Sequence, residues 1–150
     1  MGKPTKHEKE VNEFHIKEHK NLVNTIYNLL EQTGKYSEIG KETPFEYIRD
    51  DSLKMPGDHD VYGIREIYGE KTAFIFQIKS LFEEDHKFIE NYDKALEQLA
   101  KDEKFLREDQ GIEKFVKFVV YLDHSDLGYK VEAVSQQEID EVFEINQYKI

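Results

Sequence analysis

Polar and apolar positions along the chain alternate with two different periods, and each change of period marks an element. From residue 5 to 33, Val11, Phe14, Leu22, Ile26, Leu29 and Leu30 recur at helical spacing, and Gly34 stands where a left-handed cap would close a helix. One long amphipathic helix is expected, its stripe turned to the core. Residues 35–42 read as a polar connection. Thr43-Pro44-Phe45-Glu46 then has the form of a helix start, with Thr as N-cap, Pro in the first position and Glu in the third, so a short helix to about Asp51 and a loop from Ser52 to His59 are expected. Val61–Tyr68 and Lys71–Lys79 are β-rich runs separated by Gly69-Glu70, and a glycine-first pair predicts a type II′ hairpin. Ser80-Leu81-Phe82-Glu83 reads as a capping box opening a second long helix, with Leu81, Phe82, Phe88, Ile89, Tyr92, Leu96, Leu99 and Leu106 on one face and Gly111 closing the helical region. Phe115–Leu122 is the most apolar strand candidate and belongs inside a sheet. Residues 123–128 form a turn, Tyr129–Val134 a further strand, and Ser135-Gln136-Gln137-Glu138 opens a short final helix to about Glu144. The fold class expected is α+β, one domain over residues 1–150, with a mixed or antiparallel sheet of four or five strands flanked by two long helices.

Chemistry concentrates between Pro56 and Lys79, PGDHDVYGIREIYGEKTAFIFQIK. The period of two puts Gln77 and Lys79 on one face of the second strand and Phe76 and Ile78 on the other. Pairing about Gly69-Glu70 brings Asp60, at the entry to the first strand, opposite residues near 79. A carboxylate, an amide and an amine therefore converge. An aspartate opening a strand, a hairpin, and an apolar strand ending in Gln77-Ile78-Lys79 resembles the PD-(D/E)xK nuclease superfamily in its Gln-x-Lys variant, over residues 56 to 80. The resemblance implies a restriction-endonuclease-like core of order αβββαβ, lacking one strand that residues 35–48 would have to supply. It further implies Mg²⁺ or Mn²⁺ held by Asp60, Gln77 in place of the second acid, and Lys79 as the catalytic lysine. The Ile78 carbonyl can complete the metal shell, since hard cations accept carbonyl oxygen. Neutral Gln77 leaves the metal one negative charge short unless another acid such as Asp58 moves in. In that superfamily the first helix often supplies a glutamate, and Glu18 is the candidate here.

Charge bears on this reading. Thirty-two acids against 21 bases give a net charge of −11, which opposes nucleic-acid binding driven by bases on phosphates. Screening over about 8 Å at physiological salt makes the local balance decisive, and Arg49, Lys54, Arg65, Lys71 and Lys79 surround the central stretch. The remaining acids are expected on solvated helix faces. There is no cysteine, so disulfides and zinc-thiolate sites are excluded. No apolar run approaches the roughly 20 residues of a bilayer span, and the first fifteen residues lack an apolar signal core, so the expected location is cytoplasmic with no membrane partner.

Four histidines need placing. His15 and His19 lie one turn apart on the first helix, a spacing that can chelate a metal, but without a third ligand in the sequence nearby they are expected to be structural. His59, beside Asp60 in a loop, is a candidate proton shuttle because imidazole titrates near neutrality. Glu83-x-x-His86 has the spacing of di-iron helix bundles, a fold the strands exclude. Besides a small-ligand or housekeeping domain without a recognisable motif, two functions are expected, one implied by the resemblance and one by the acidic charge. One is a metal-dependent nuclease-like domain acting on DNA phosphodiesters in restriction, repair or recombination. The other is a non-catalytic acidic protein, such as an inhibitor, immunity protein or phage anti-defence factor, whose surface blocks a partner's basic groove, as a DNA mimic would. A homodimer is compatible with either.

Overall fold

The computed structural model describes residues 5–48 and 54–134, and of residues 44–48 and 54–58 the backbone alone. The elements run α1 (Lys6–Thr33), β1 (Glu38–Ile48), β2 (Lys54–Ile67), β3 (Glu70–Phe82), α2 (Phe88–Gln110), β4 (Lys114–Leu122) and β5 (Tyr129–Ala133). The strands form one five-stranded sheet in the order β1-β2-β3-β4-β5. β1, β2 and β3 are antiparallel neighbours, β3 and β4 are parallel, and β5 returns antiparallel to β4. The fold is thus α+β with a mixed sheet, and α2 is the crossover between its parallel pair, as parallel strands require.

Two apolar layers sandwich the sheet. Phe74, Phe76, Ile78, Phe118 and Val120 face Leu22, Val23, Ile26 and Leu30 of α1. Ala73, Ile75, Val119 and Tyr121, of opposite parity on the strands, face Ala95, Leu99 and Leu106 of α2. Phe76 stacks on Phe118 at 4.5 Å between ring centroids, tying β3 to β4 on the α1 side. β4 is an interior strand with seven of its nine residues buried, which its continuous apolar run requires.

α1 agrees with the sequence reading at both ends: Thr5 and Glu8 form a reciprocal capping box, and Gly34 closes the helix at φ 66°. Its stripe does not behave uniformly, however. Burial begins at Leu22, whereas Val11 and Phe14 are exposed, so the first half of α1 runs past the core.

Four local expectations are overturned. Residues 43–48 belong to β1 instead of a helix, with Pro44 opposite Asp58, and β1 also takes in residues 38–42 of the expected polar connection. β1 is an edge strand, where a residue without an N–H is tolerated, and Phe45, Tyr47 and Ile48 are strand formers that outweigh the cap at Thr43. Residues 54–59, expected as loop, belong to β2. Among the described residues β2 pairs with β3 only from Val61 to Ile67, so Pro56 and Gly57 fall where β1 is its neighbour. The hairpin turns on Tyr68-Gly69, not Gly69-Glu70: Ile67 pairs with Glu70, and φ is 52° at Tyr68 and 81° at Gly69. Two positive φ values make a type I′ turn, whose twist matches the strands better than the expected II′. Finally, Ser80-Leu81-Phe82 extends β3, and α2 begins only at Phe88, because Phe82 is still paired with Leu122 of β4 and stacks on His124 at 4.4 Å. The final helix expected over 135–144 lies outside the described residues.

Candidate functional site

Where β3 leaves the sheet, a cleft of about 1170 Å³ opens between the first half of α1 and the first half of α2. Gln77, Ile78 and Lys79 line it from the sheet, Asp60 from β2, His15, His19 and Lys20 from α1, and Lys87, Lys94 and Lys101 from α2. Five lysines and five carboxylates line this cleft, together with His15, His19 and His86. The local charge is therefore balanced on a chain whose total is −11.

Asp60 reaches the cleft through a break in strand alternation. Tyr62 and Ile64 belong to the α2 side, and so does His59, which packs on Tyr62 and on Phe105 of α2 at 5.1 and 5.8 Å between centroids. Val61 belongs to the α1 side, and so does Asp60, whose Oδ1 lies 3.6 Å from Nε2 of His19. Two successive residues thus share a face. Opposite them the β1–β2 register passes from Lys41↔Val61 to Thr43↔His59, and Glu42 between them has φ 47°. Such an irregularity re-aims side chains, as β-bulges do near binding sites. The Ile78 N–H is satisfied by Oδ2 of Asp60 at 2.9 Å, and this buried hydrogen bond fixes the carboxylate with Oδ1 turned to α1.

Around Asp60 the helix residues are ordered. His19 holds its proton above the ordinary imidazole range, mainly through its hydrogen bond to Asp60, with burial opposing and the charges of Asp60 and Glu42 assisting; Lys79 pulls the other way. Lys79 thus stands within electrostatic reach of His19. His15 Nδ1 lies 2.7 Å from the Ser80 carbonyl oxygen. A carbonyl only accepts, so Nδ1 must carry the proton. The expectation that both histidines are structural agrees with these contacts, but they lie half-buried at the cleft and not within the core.

On the opposite face lies a second polar group. Asp102 is 1% exposed, and its carboxylate accepts from Gln77 Nε2 and Gln98 Nε2, both at 3.0 Å. His59, 2% exposed, brings Nδ1 to 3.5 Å from Oδ1 of Asp102. Burial pushes the Asp102 carboxyl above its ordinary value, with His59, Gln98 and Gln77 opposing. His59 is therefore a buried strand residue and not the loop proton shuttle expected.

The structure brings Asp60, Gln77, Ile78 and Lys79 to one cleft. Gln77 turns its side chain to Asp102 on the α2 side, whereas the Asp60 carboxylate lies on the α1 side. Glu18 does not line the cleft, whereas His15 and His19 of the same helix do. Of Asp58 the backbone alone is described. Asp102 was missed in the sequence, although the buried positions of α2 are Ala95, Leu99, Asp102 and Leu106. A carboxylate within that helical spacing signals a buried polar partner. Ile89 and Leu96, assigned to the apolar face, are instead exposed. Among the described residues no three His, Asp or Glu side chains are already gathered about one point that could hold a metal, and no helix is long and apolar enough to cross a membrane.

The chain matches no known family model, and no curated protein is significantly similar to it.

Proposed function

We propose that the chain is a cytoplasmic, metal-dependent nuclease-like domain acting on DNA phosphodiesters. The observation that carries the reading is that Asp60 of β2 and Gln77, Ile78 and Lys79 of β3 line a single cleft, with lysines from both helices at its walls. Support also comes from the element order. β1 supplies the strand the resemblance required, giving αβββαβ before β5.

Asp60 fits a metal ligand, since its orientation is fixed by the Ile78 N–H and Oδ1 remains toward the cleft. When bound, Mg²⁺ or Mn²⁺ supplies charge neutralisation at the phosphate and acidifies the attacking water. The Lys79 ammonium stabilises charge developing on the phosphate oxygens. Lys20, Lys87 and Lys94 offer contacts to flanking phosphates, which position without reading sequence. Cleavage of plasmid and single-stranded DNA should require the divalent ion and fall by about 10²-fold or more in Asp60→Ala and in Lys79→Ala. Cleavage that survives Lys79→Ala would overturn the mechanism.

The net charge of −11, set against a charge-balanced cleft, favours a second reading in which the acidic surface occupies a basic partner's groove. Binding to that partner should then weaken with salt and be lost when several helix acids are reversed to lysine, while Asp60→Ala and Lys79→Ala have little effect.

A further inference from the structure

The α2 side of the sheet carries a second recess, of about 380 Å³, which shares no lining residue with the cleft. Strand period builds its floor. Tyr121 of β4 pairs with Lys130 of β5, so Lys130 and Glu132 stand on the face of Tyr121 while Val131 is turned to the α1 side. Phe88 and Tyr92, one turn apart at the start of α2, form a wall, and Glu83 enters from the turn after β3. Phe88 stands edge-on to Tyr121 at 5.0 Å between ring centroids and lies 5.7 Å from Tyr92. We propose that this recess binds a primary ammonium group, the end of a lysine side chain or of a free polyamine, between Glu83, Glu132 and the rings of Tyr92 and Tyr121. The proposal depends on neither reading of the cleft.

Proton counting carries it. Tyr121 Oη lies 3.0 Å from Oε1 of Glu83 and 2.8 Å from Oε2 of Glu132. A phenol has one proton, so it donates to one carboxylate and turns lone pairs to the other. Tyr92 uses its own proton on Glu132. Among the described residues, three hydroxyl–carboxylate contacts therefore share two protons. Neither phenol ionises near neutral pH: burial, with Glu132 and Glu83 assisting, holds Tyr121 far above its ordinary value, and burial with Glu132 brings Tyr92 up to about 12. A donor placed between the carboxylates supplies the missing proton. Water can donate there too, but three carboxylates against one ammonium line the recess, and only a cation answers that charge.

The one ammonium is that of Lys130, and it fits loosely. Its Nζ stands 3.9 Å from Oε1 of Glu83 and 5.9 Å from the centroid of the Tyr121 ring, with the side chain 52% exposed. The chain's own cation thus marks what the place accepts without filling it. The rings favour an organic cation, because their faces attract the charge and also cover an aliphatic stem. A quaternary ammonium would satisfy the rings but has no N–H for the carboxylates, whereas a primary ammonium has three.

The test is titration of the full-length protein with n-butylammonium chloride, followed by the ring resonances of Tyr92 and Tyr121. They should shift saturably, with a Kd on the order of millimolar, while the His19 ring in the cleft does not move. n-Butanol, of the same shape without the charge, and tetramethylammonium, charged without a donor, should each bind about 5-fold or more weakly. Glu132→Gln should weaken butylammonium binding by about 5-fold or more. Lys130 competes for the same place, so Lys130→Gln should tighten it by about 2- to 5-fold. A purely structural role for these residues produces no such gain, and this variant alters an exposed side chain, so the test stands even if Glu132→Gln fails to fold. Spermidine and the methylamide of Nα-acetyl-lysine separate the two sources, the tighter binder naming the group received. Butanol binding as well as butylammonium, or Lys130→Gln binding it more weakly than wild type, would overturn the proposal. So would ring resonances that none of the ammonium probes moves.

Discussion

His59 and Asp60 are neighbours in the chain and each meets an oppositely charged type of residue on a helix, yet the two pairs live in different media. His59 with Asp102 of α2 is sealed, the side chains 2% and 1% exposed, whereas Asp60 with His19 of α1 is at the cleft, 11% and 35% exposed. In the sealed pair desolvation dominates: the Asp102 carboxyl is pushed up despite three partners that favour its charge. In the open pair the hydrogen bond dominates, and His19 is shifted toward its charged form. The same two residue types thus yield an architectural joint on one face and a chemically available group on the other. The irregularity at Asp60-Val61 is what parts them. Without it the strand period would put Asp60 beside Tyr62 on the α2 side.

The comparison breaks first in stability. Asp102→Ala leaves the buried Gln77 amide without this acceptor inside the protein, and at about 1 to 3 kcal/mol per buried unsatisfied group the loss should be about 2 to 3 kcal/mol. Asp60→Ala removes one acceptor at the cleft, where water can enter, and should cost about 1 kcal/mol. Urea unfolding of the two variants measures the difference. Equal losses would mean that the two pairs are not differently solvated.

A second measurement sharpens it through pH. The folded Asp102 carboxyl sits above the ordinary value of 3.8. A raised acid binds its proton more tightly when folded, so its contribution to stability is complete below 3.8 and is lost as pH rises through the folded value. The stability of wild type relative to Asp102→Asn should therefore decline from acid toward neutral pH. A difference that grows with pH would show that His59 and the glutamines outweigh burial.

What could be read from the sequence follows the same division between local and non-local physics. The ends of α1, the β2–β3 hairpin and β4 were legible, because Thr5 and Glu8, Gly34, Gly69 and the run at 115–122 act within a few residues. Asp60, Gln77 and Lys79 do line one cleft, but Gln77 turns to Asp102 on the α2 side while Asp60 lies on the α1 side, a parting that the strand period alone does not show. The strand nature of residues 43–48 was not legible, since edge position in the sheet decides whether Pro44 is tolerated. Nor was the delayed start of α2, set by the pairing of Phe82 with Leu122. The meeting of His19 with Asp60 depends on an irregularity in β2 and on α1 crossing the sheet there, and no periodicity encodes either. Asp102 is the intermediate case: its place in the buried spacing of α2 was visible, but its partners were not.

The smallest expected effect isolates the open pair. His19 is raised above 6.5, first by its hydrogen bond to Asp60, with the charges of Asp60 and Glu42 adding and burial and Lys79 subtracting. A histidine whose folded value is raised contributes stability that is complete below 6.5 and disappears as pH rises through the folded value. The side chain is 35% exposed, so solvent screens the pair and the contribution should be only about 0.5 kcal/mol. Unfolding of wild type and His19→Gln in metal-free buffer, at about pH 6 and about pH 9, reads it as a difference present at the lower pH and absent at the higher. Salt should shrink that difference, because the pair is within reach of mobile ions. A difference that persisted at high pH would mean that His19 acts through packing alone. In that case the imidazole is part of the wall of the cleft, and the contrast with the sealed pair would lie in exposure and not in charge.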